Sequence, residues 1–148
     1  MTPYDMIRDQ ISKSVPFARH AGVVITSLAD GQGKGRLEQT DTSINHIGSQ
    51  HAGALFTLGE AASGAALAGA FASVLFSVRA VAGRADIAFT KVAKGRISAT
   101  ASTSEPGCDL LAVLQAEGRV AFDVAVSMTD EAGDEVAQMT VAWHVKKT

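Results

Sequence analysis

The segment A-G-A-L-F-T-L-G-E-A-A-S-G-A-A-L-A-G-A, residues 52–70, constrains the fold more than any other part of the chain. Thirteen of these 19 residues are Ala, Gly or Ser. A backbone carrying side chains this small lies close to whatever surrounds it, so the segment predicts a helix enclosed by protein. Counted from His51 to Ala70, that helix is about 30 Å long at the usual rise per residue. A sheet curled around it satisfies both its length and its lack of bulk. One residue stands out: Glu60 is the only Asp, Glu, Lys or Arg between Thr42 and Val78. Burying an unpaired carboxylate costs on the order of several kcal/mol unless it is hydrogen-bonded, paired or protonated. Glu60 therefore needs a partner or a chemical task.

The rest of the chain supplies elements for such a sheet. Tyr4, Ile7, Ile11 and Val15 recur at helical spacing and Pro16 follows, which predicts a short amphipathic N-terminal helix. "GVVITSL", the Gly-rich "ADGQGKG" and "GRLEQT" read as strand, turn, strand. "DTSINHIGSQ" is a loop of turn and cap residues that leads into the long helix. Beyond it, "VAGRADIAFTKVA", "GRISATASTS", "GRVAFDVAVSMTD" and "DEVAQMTVAWHVKK" alternate as strands do. Ile87 and Phe89, then Phe122, Val124, Val126 and Met128, then Met139, Val141, Trp143 and Val145 share one face each. "DEAGDE" joins the last two strands as a hairpin turn, and "CDLLAVLQAEG" is open between a short helix and an irregular crossover. The order is α+β with one antiparallel sheet, and residues 1–148 read as one domain.

Composition narrows the class. A formal charge of -2 and no Lys/Arg run give no sign of a nucleic-acid partner. The single cysteine, Cys108, forms no internal disulfide, and the N-terminus lacks a signal-peptide layout, so a cytoplasmic location is the expectation. The apolar run Ala61 to Val78 is long enough to raise a membrane span, but its Ala, Gly and Ser content and its lack of basic flanks favour a helix buried in protein. His46 and His51 are not at metal-ligand spacing on a helix, and no G-x-S-x-G elbow is present, so neither a metal, a cofactor nor a serine nucleophile is expected.

With this order of elements, the motif N-H-I-G-S-Q-H-A-G-A-L-F-T-L-G-E resembles the hotdog-fold acyl-CoA thioesterases, in the branch that includes the phenylacetate-pathway thioesterase. The resemblance covers essentially the whole chain and rests on Asn45, His51 six residues later and Glu60 nine residues after that. It implies a long central helix wrapped by a curved antiparallel sheet, and an active site at a dimer interface. It also implies that Glu60 activates water or attacks the thioester, that Ala52 offers its N–H to the carbonyl oxygen, and that Asn45 positions water or substrate. An acyl-CoA-type substrate and a homo-oligomer follow, with dimer and tetramer both open. Ala52 departs from the Gly that often follows the His in this family.

Elementary chemistry runs parallel to the resemblance. A helix N-terminus presents unpaired N–H groups and partial positive charge, suited to a developing oxyanion, and Ala52 and Gly53 carry such groups here. Gly53, Phe56, Thr57, Glu60 and Gly64 share one helix face, which makes Thr57 a candidate substrate contact. Glu60 lies about 13 Å along the helix from His51, too far for both to act on one carbonyl within one chain. His51 is read as orienting its loop by hydrogen bonds. Arg84 is a candidate either for CoA contact or for pairing around Asp86 in the sheet, and Lys91, Lys94 and Arg96 are candidates for CoA phosphates. Two other readings stay open: a non-catalytic acyl-CoA-binding protein and a hotdog hydratase or dehydratase.

Overall fold

The computed structural model describes all residues, Met1–Thr148. Two helices open the chain, α1 (Pro3–Ser14) and the one-turn α2 (Pro16–His20), followed by strands β1 (Val23–Ala29) and β2 (Gln32–Leu37). The long helix α3 (Ala52–Ala70) and a 3-10 segment (Ala72–Ser77) come next. Strands β3 (Val78–Phe89) and β4 (Ile97–Thr103), helix α4 (Gly107–Glu117), and strands β5 (Arg119–Thr129) and β6 (Glu135–Lys147) complete it. The six strands form one antiparallel sheet in the order β1-β2-β4-β5-β6-β3. The sheet curves around α3, which packs on β2, β4, β1, β5 and β6. This is the hotdog fold.

The small residues of α3 explain the wrapping. Ala62, Ser63, Ala65 and Ala66 are fully buried, as is Leu58 one turn earlier. Where β2 passes beneath this turn, a Cβ on Gly33 would stand 2.5 Å from the Ala62 carbonyl oxygen and 2.6 Å from the Ala66 nitrogen. Strand and helix backbones therefore touch, and only glycine fits between them. That contact corrects the first hairpin: most of "ADGQGKG" is strand, and the turn itself is Asp30-Gly31, with Gly31 at φ 69°. Gly33 and Gly35 belong to β2 because the helix requires small residues there, not because the chain turns.

The inward residues of β5 and β6 are buried as their alternation predicts, from Phe122 to Met128 and from Met139 to Val145. β3 differs. It is an edge strand, exposed at most of its positions; Ile87 is half-buried, and Phe89 is half-exposed on the wall of a groove it shares with Ala52 and Leu55 of α3. "CDLLAVLQAEG" resolves as helix α4, which buries Leu110 and Leu114 one turn apart. The run Ala61 to Val78 is divided by the end of α3 and the 3-10 segment, and no helix is long and apolar enough to cross a membrane. At the other edge of the sheet, α1 covers β1 through Ile7, which packs with Leu28, Ala65 and Ala68. Both flanks of α3 therefore carry grooves, one beneath α1 and one beside its N-terminus.

Candidate functional site

The loop before α3 is held by its own polar side chains. Asn45 Oδ1 accepts from the Ile47 and Ser49 backbone N–H groups at 3.1 and 3.0 Å, and its Nδ2 donates to Ser49 Oγ at 2.8 Å. Gln50, 3% exposed, donates from Nε2 to the Gly95 carbonyl at 2.9 Å, tying the loop to the β3–β4 connection. Those carbonyls fix the amide's orientation and leave Gln50 Oε1 without a partner in the chain. Sequence reasoning passed over Gln50; a glutamine in a stretch with almost no charge, just before a helix cap, was the available signal.

His51 is the N-cap of α3, and its Nδ1 accepts from the Gly53 N–H at 2.8 Å. An accepting Nδ1 carries no proton, so the neutral ring holds its proton on Nε2. This bond removes Gly53 from the expected oxyanion donors. The Ala54 and Leu55 N–H groups turn back to the His51 carbonyl, which leaves the exposed Ala52 N–H as the one without a partner. Ala52 lines a groove of about 330 Å³ with Asn45, Gln50, Leu55, Phe89 and Lys91.

Glu60 lies elsewhere. It is half-buried in a second groove, lined by Ile11, Val15, Ile25, Gly64 and Trp143 among others. Its carboxylate makes no hydrogen bond or ion pair, and burial pushes its pKa above the ordinary carboxylate value. Below it, Ser63 Oγ donates to the Glu60 backbone carbonyl at 2.7 Å and accepts from Trp143 Nε1 at 3.0 Å. The acid therefore sits on a turn braced from the sheet, while its own head group is free.

The remaining candidates scatter. Thr57 is buried, and its hydroxyl is spent on the Gly53 carbonyl at 2.8 Å, so it presents no donor to a substrate. Arg84 pairs with Asp86 at 3.1 Å, both exposed. The basic cluster divides: Lys91 holds Asp130 and Asp134 at 3.1 and 2.7 Å, Arg96 holds Glu38 at 2.7 Å, and Lys94 makes no ion pair. Of the three, Lys91 alone lines the groove beside Ala52. Asn45, Ala52 and Lys91 are thus brought together, and Glu60 is not brought to them.

A family model described as a domain of unknown function, DUF4442, matches residues 5–145. No curated protein matches significantly. Among solved structures, a Pseudomonas aeruginosa protein of unknown function, described as a probable thioesterase, superposes with a TM-score of 0.83 at 26% identity, covering 97% of this chain and 95% of that one. A thioesterase family protein from Silicibacter pomeroyi gives 0.76 at 20% identity, with 96% of both chains covered. A hypothetical thioesterase protein from Streptococcus pneumoniae, solved with coenzyme A, gives 0.70 at 20% identity, covering 93% of this chain and 98% of that one. With nearly its whole length matched by that model and its helix wrapped in the same way, the chain belongs to the DUF4442 family, a thioesterase-like family of hotdog fold.

Proposed function

We propose that this protein hydrolyses an acyl-CoA-type thioester at a site shared by two copies of the chain. The observation that carries the reading is the Glu60 carboxyl: half-buried in a mainly apolar groove, with no hydrogen bond or ion pair although Arg19 and Ser12 line the same groove. A carboxylate whose pKa is raised by burial is a stronger base once ionised than an exposed one. The names of the similar structures, and the coenzyme A in one of them, support the substrate class.

Geometry supports the shared site. Ala52 and Glu60 line different grooves, about 12 Å apart along α3, and nothing within one chain brings them to one carbonyl. β3 offers 12 residues of unpaired edge, the usual place for a second copy to add its own strand. In such a dimer the thioester oxygen accepts from the Ala52 N–H of one subunit and the partner subunit's Glu60 faces the carbonyl carbon. Glu60 takes a proton from water as the new C–O bond forms, and returns it to the sulfur as the C–S bond breaks; direct attack by Glu60 is the alternative first step. Asn45 and His51 act by holding the loop that aims the Ala52 N–H.

One observation favours a binding-only reading. With Gly53 held by His51, a single backbone donor remains, and it carries the Ala52 methyl where substrate approaches. Assay against a panel of acyl-CoAs separates the two, with turnover expected and binding alone as the overturning result. The shared site is tested by co-refolding Asn45→Ala and Glu60→Ala chains. Each variant alone should be nearly inactive, whereas random pairing yields mixed dimers with one intact site and roughly a quarter of wild-type activity. Mixed dimers, verified by native mass spectrometry, that stay at single-variant activity place both residues in one chain.

A further inference from the structure

The groove that holds Glu60 is smaller than the one beside Ala52, and the hydrolytic reading so far uses none of its lining but Glu60 itself. It is roofed by α1 and α2, floored by α3 and walled on one side by the Trp143 indole, with a volume of about 150 Å³. Eight of its 12 lining residues are hydrophobic. Small residues on α3 create the space: Ala61 and Gly64 lie on the floor, and a Cβ on Gly64 would meet only Trp143, at 3.9 Å. Trp143 cannot swing to fill it, because its Nε1 is held by Ser63. Ile11 and Ser12 of α1, Val15 at the junction, and Ala18 and Arg19 of α2 make the roof, so it comes from outside the sheet and helix of the core fold.

From the contact of this groove with the Glu60 carboxyl and from its size, we infer that it receives the acyl group of the substrate and limits that group to a compact one, about six carbon atoms as a chain or a ring. The inference rests on the hydrolytic reading, in which the carbonyl carbon lies against Glu60 and the acyl group must extend away from it. An apolar cavity of about 150 Å³ in another protein takes up a benzene molecule, which sets the scale. Longer chains meet α1 and the indole. Thioester and CoA remain outside, toward the groove lined by the partner's Ala52.

The test measures both affinity and turnover for straight-chain acyl-CoAs from acetyl to decanoyl, with phenylacetyl-CoA added. Affinity is read by calorimetry on Glu60→Gln and turnover on the wild type. Each added methylene should tighten binding about fourfold, the effect of burying one CH2, until about six carbons, and decanoyl-CoA should fall at least tenfold from the optimum. Ala61→Leu should lower the ratio of hexanoyl to acetyl kcat/KM at least tenfold, and Ile11→Ala should move the optimum to longer chains. If Ala61→Leu does not fold, Gly64→Ala, which adds one methyl group in ordinary contact with Trp143, replaces it. Turnover with no dependence on chain length, unmoved by these variants, overturns the pocket and leaves the hydrolytic reading intact. An affinity optimum near six carbons without turnover overturns hydrolysis and retains the pocket. No measurable binding of any acyl-CoA overturns the pocket.

Discussion

The loop that ends at His51 and the turn that carries Glu60 are nine residues apart and treat their polar groups in opposite ways. In the loop, Asn45, Ser49, Gln50 and His51 bond to neighbouring backbone or side chains, and the outcome is one aimed N–H at Ala52. On the turn, the backbone is braced by Ser63 and Trp143 while the Glu60 carboxylate is left unpaired in a mainly apolar groove. The first arrangement spends polar groups on position. The second leaves a half-buried carboxylate without a protein partner, a group with far more charge to desolvate than Gln50 Oε1, the one loop atom that also lacks a partner.

The largest expected effect breaks the second half of that comparison. Glu60→Gln should lower kcat at least about a hundredfold, because the amide neither accepts a proton nor attacks a thioester. Its melting temperature at neutral pH should equal or exceed that of the wild type, since no partner is lost. A fall in both would mean that Glu60 is structural. Asn45→Ala should act differently, leaving the enzyme nearly inactive and lowering its stability as well. Two backbone N–H groups lose their acceptor, and leaving such groups unsatisfied costs about 1–3 kcal/mol each where they are buried. A loss of activity with no change in melting would instead give Asn45 direct contact with substrate.

Gly33→Ala probes the far side of the Glu60 turn, where strand backbone meets helix backbone. Thermal unfolding should show destabilisation of about 1–3 kcal/mol, the usual result of adding volume to a packed contact. An unchanged melting temperature would mean that β2 is free to move away from α3.

The smallest effect is a pH dependence. Burial raises the Glu60 pKa in the folded protein, so between its ordinary value and the raised one the folded chain binds more protons than the unfolded chain. This group therefore costs no stability below the ordinary carboxylate range, and its penalty grows as pH rises through the raised pKa. Melting temperatures of wild type and Glu60→Gln should accordingly converge in acid, with the variant gaining as pH rises. A difference that does not vary with pH would remove burial as the source of the shift.

Much of this was legible in the sequence because it is local. The small-residue helix, its length, the alternation of β5 and β6, and the isolation of Glu60 follow from residue type and period, which neighbours in sequence decide. Whether a glycine turns the chain or lets a helix approach is not local: Gly31 does the first and Gly33 the second, in nearly the same sequence context. The candidate site divided along the same line. Spacing alone separated Glu60 from His51, but hydrogen-bond competition was invisible until the backbone was placed. His51 takes the Gly53 N–H, Thr57 bonds back to Gly53, and Lys91 and Arg96 are engaged by acids that are 39 or more residues away. The cavity over Glu60 is the furthest from the sequence, because α1, α2, β1, α3 and β6 each supply part of its wall. Its volume is what remains after five elements have packed, a difference of shapes that no single stretch of chain contains.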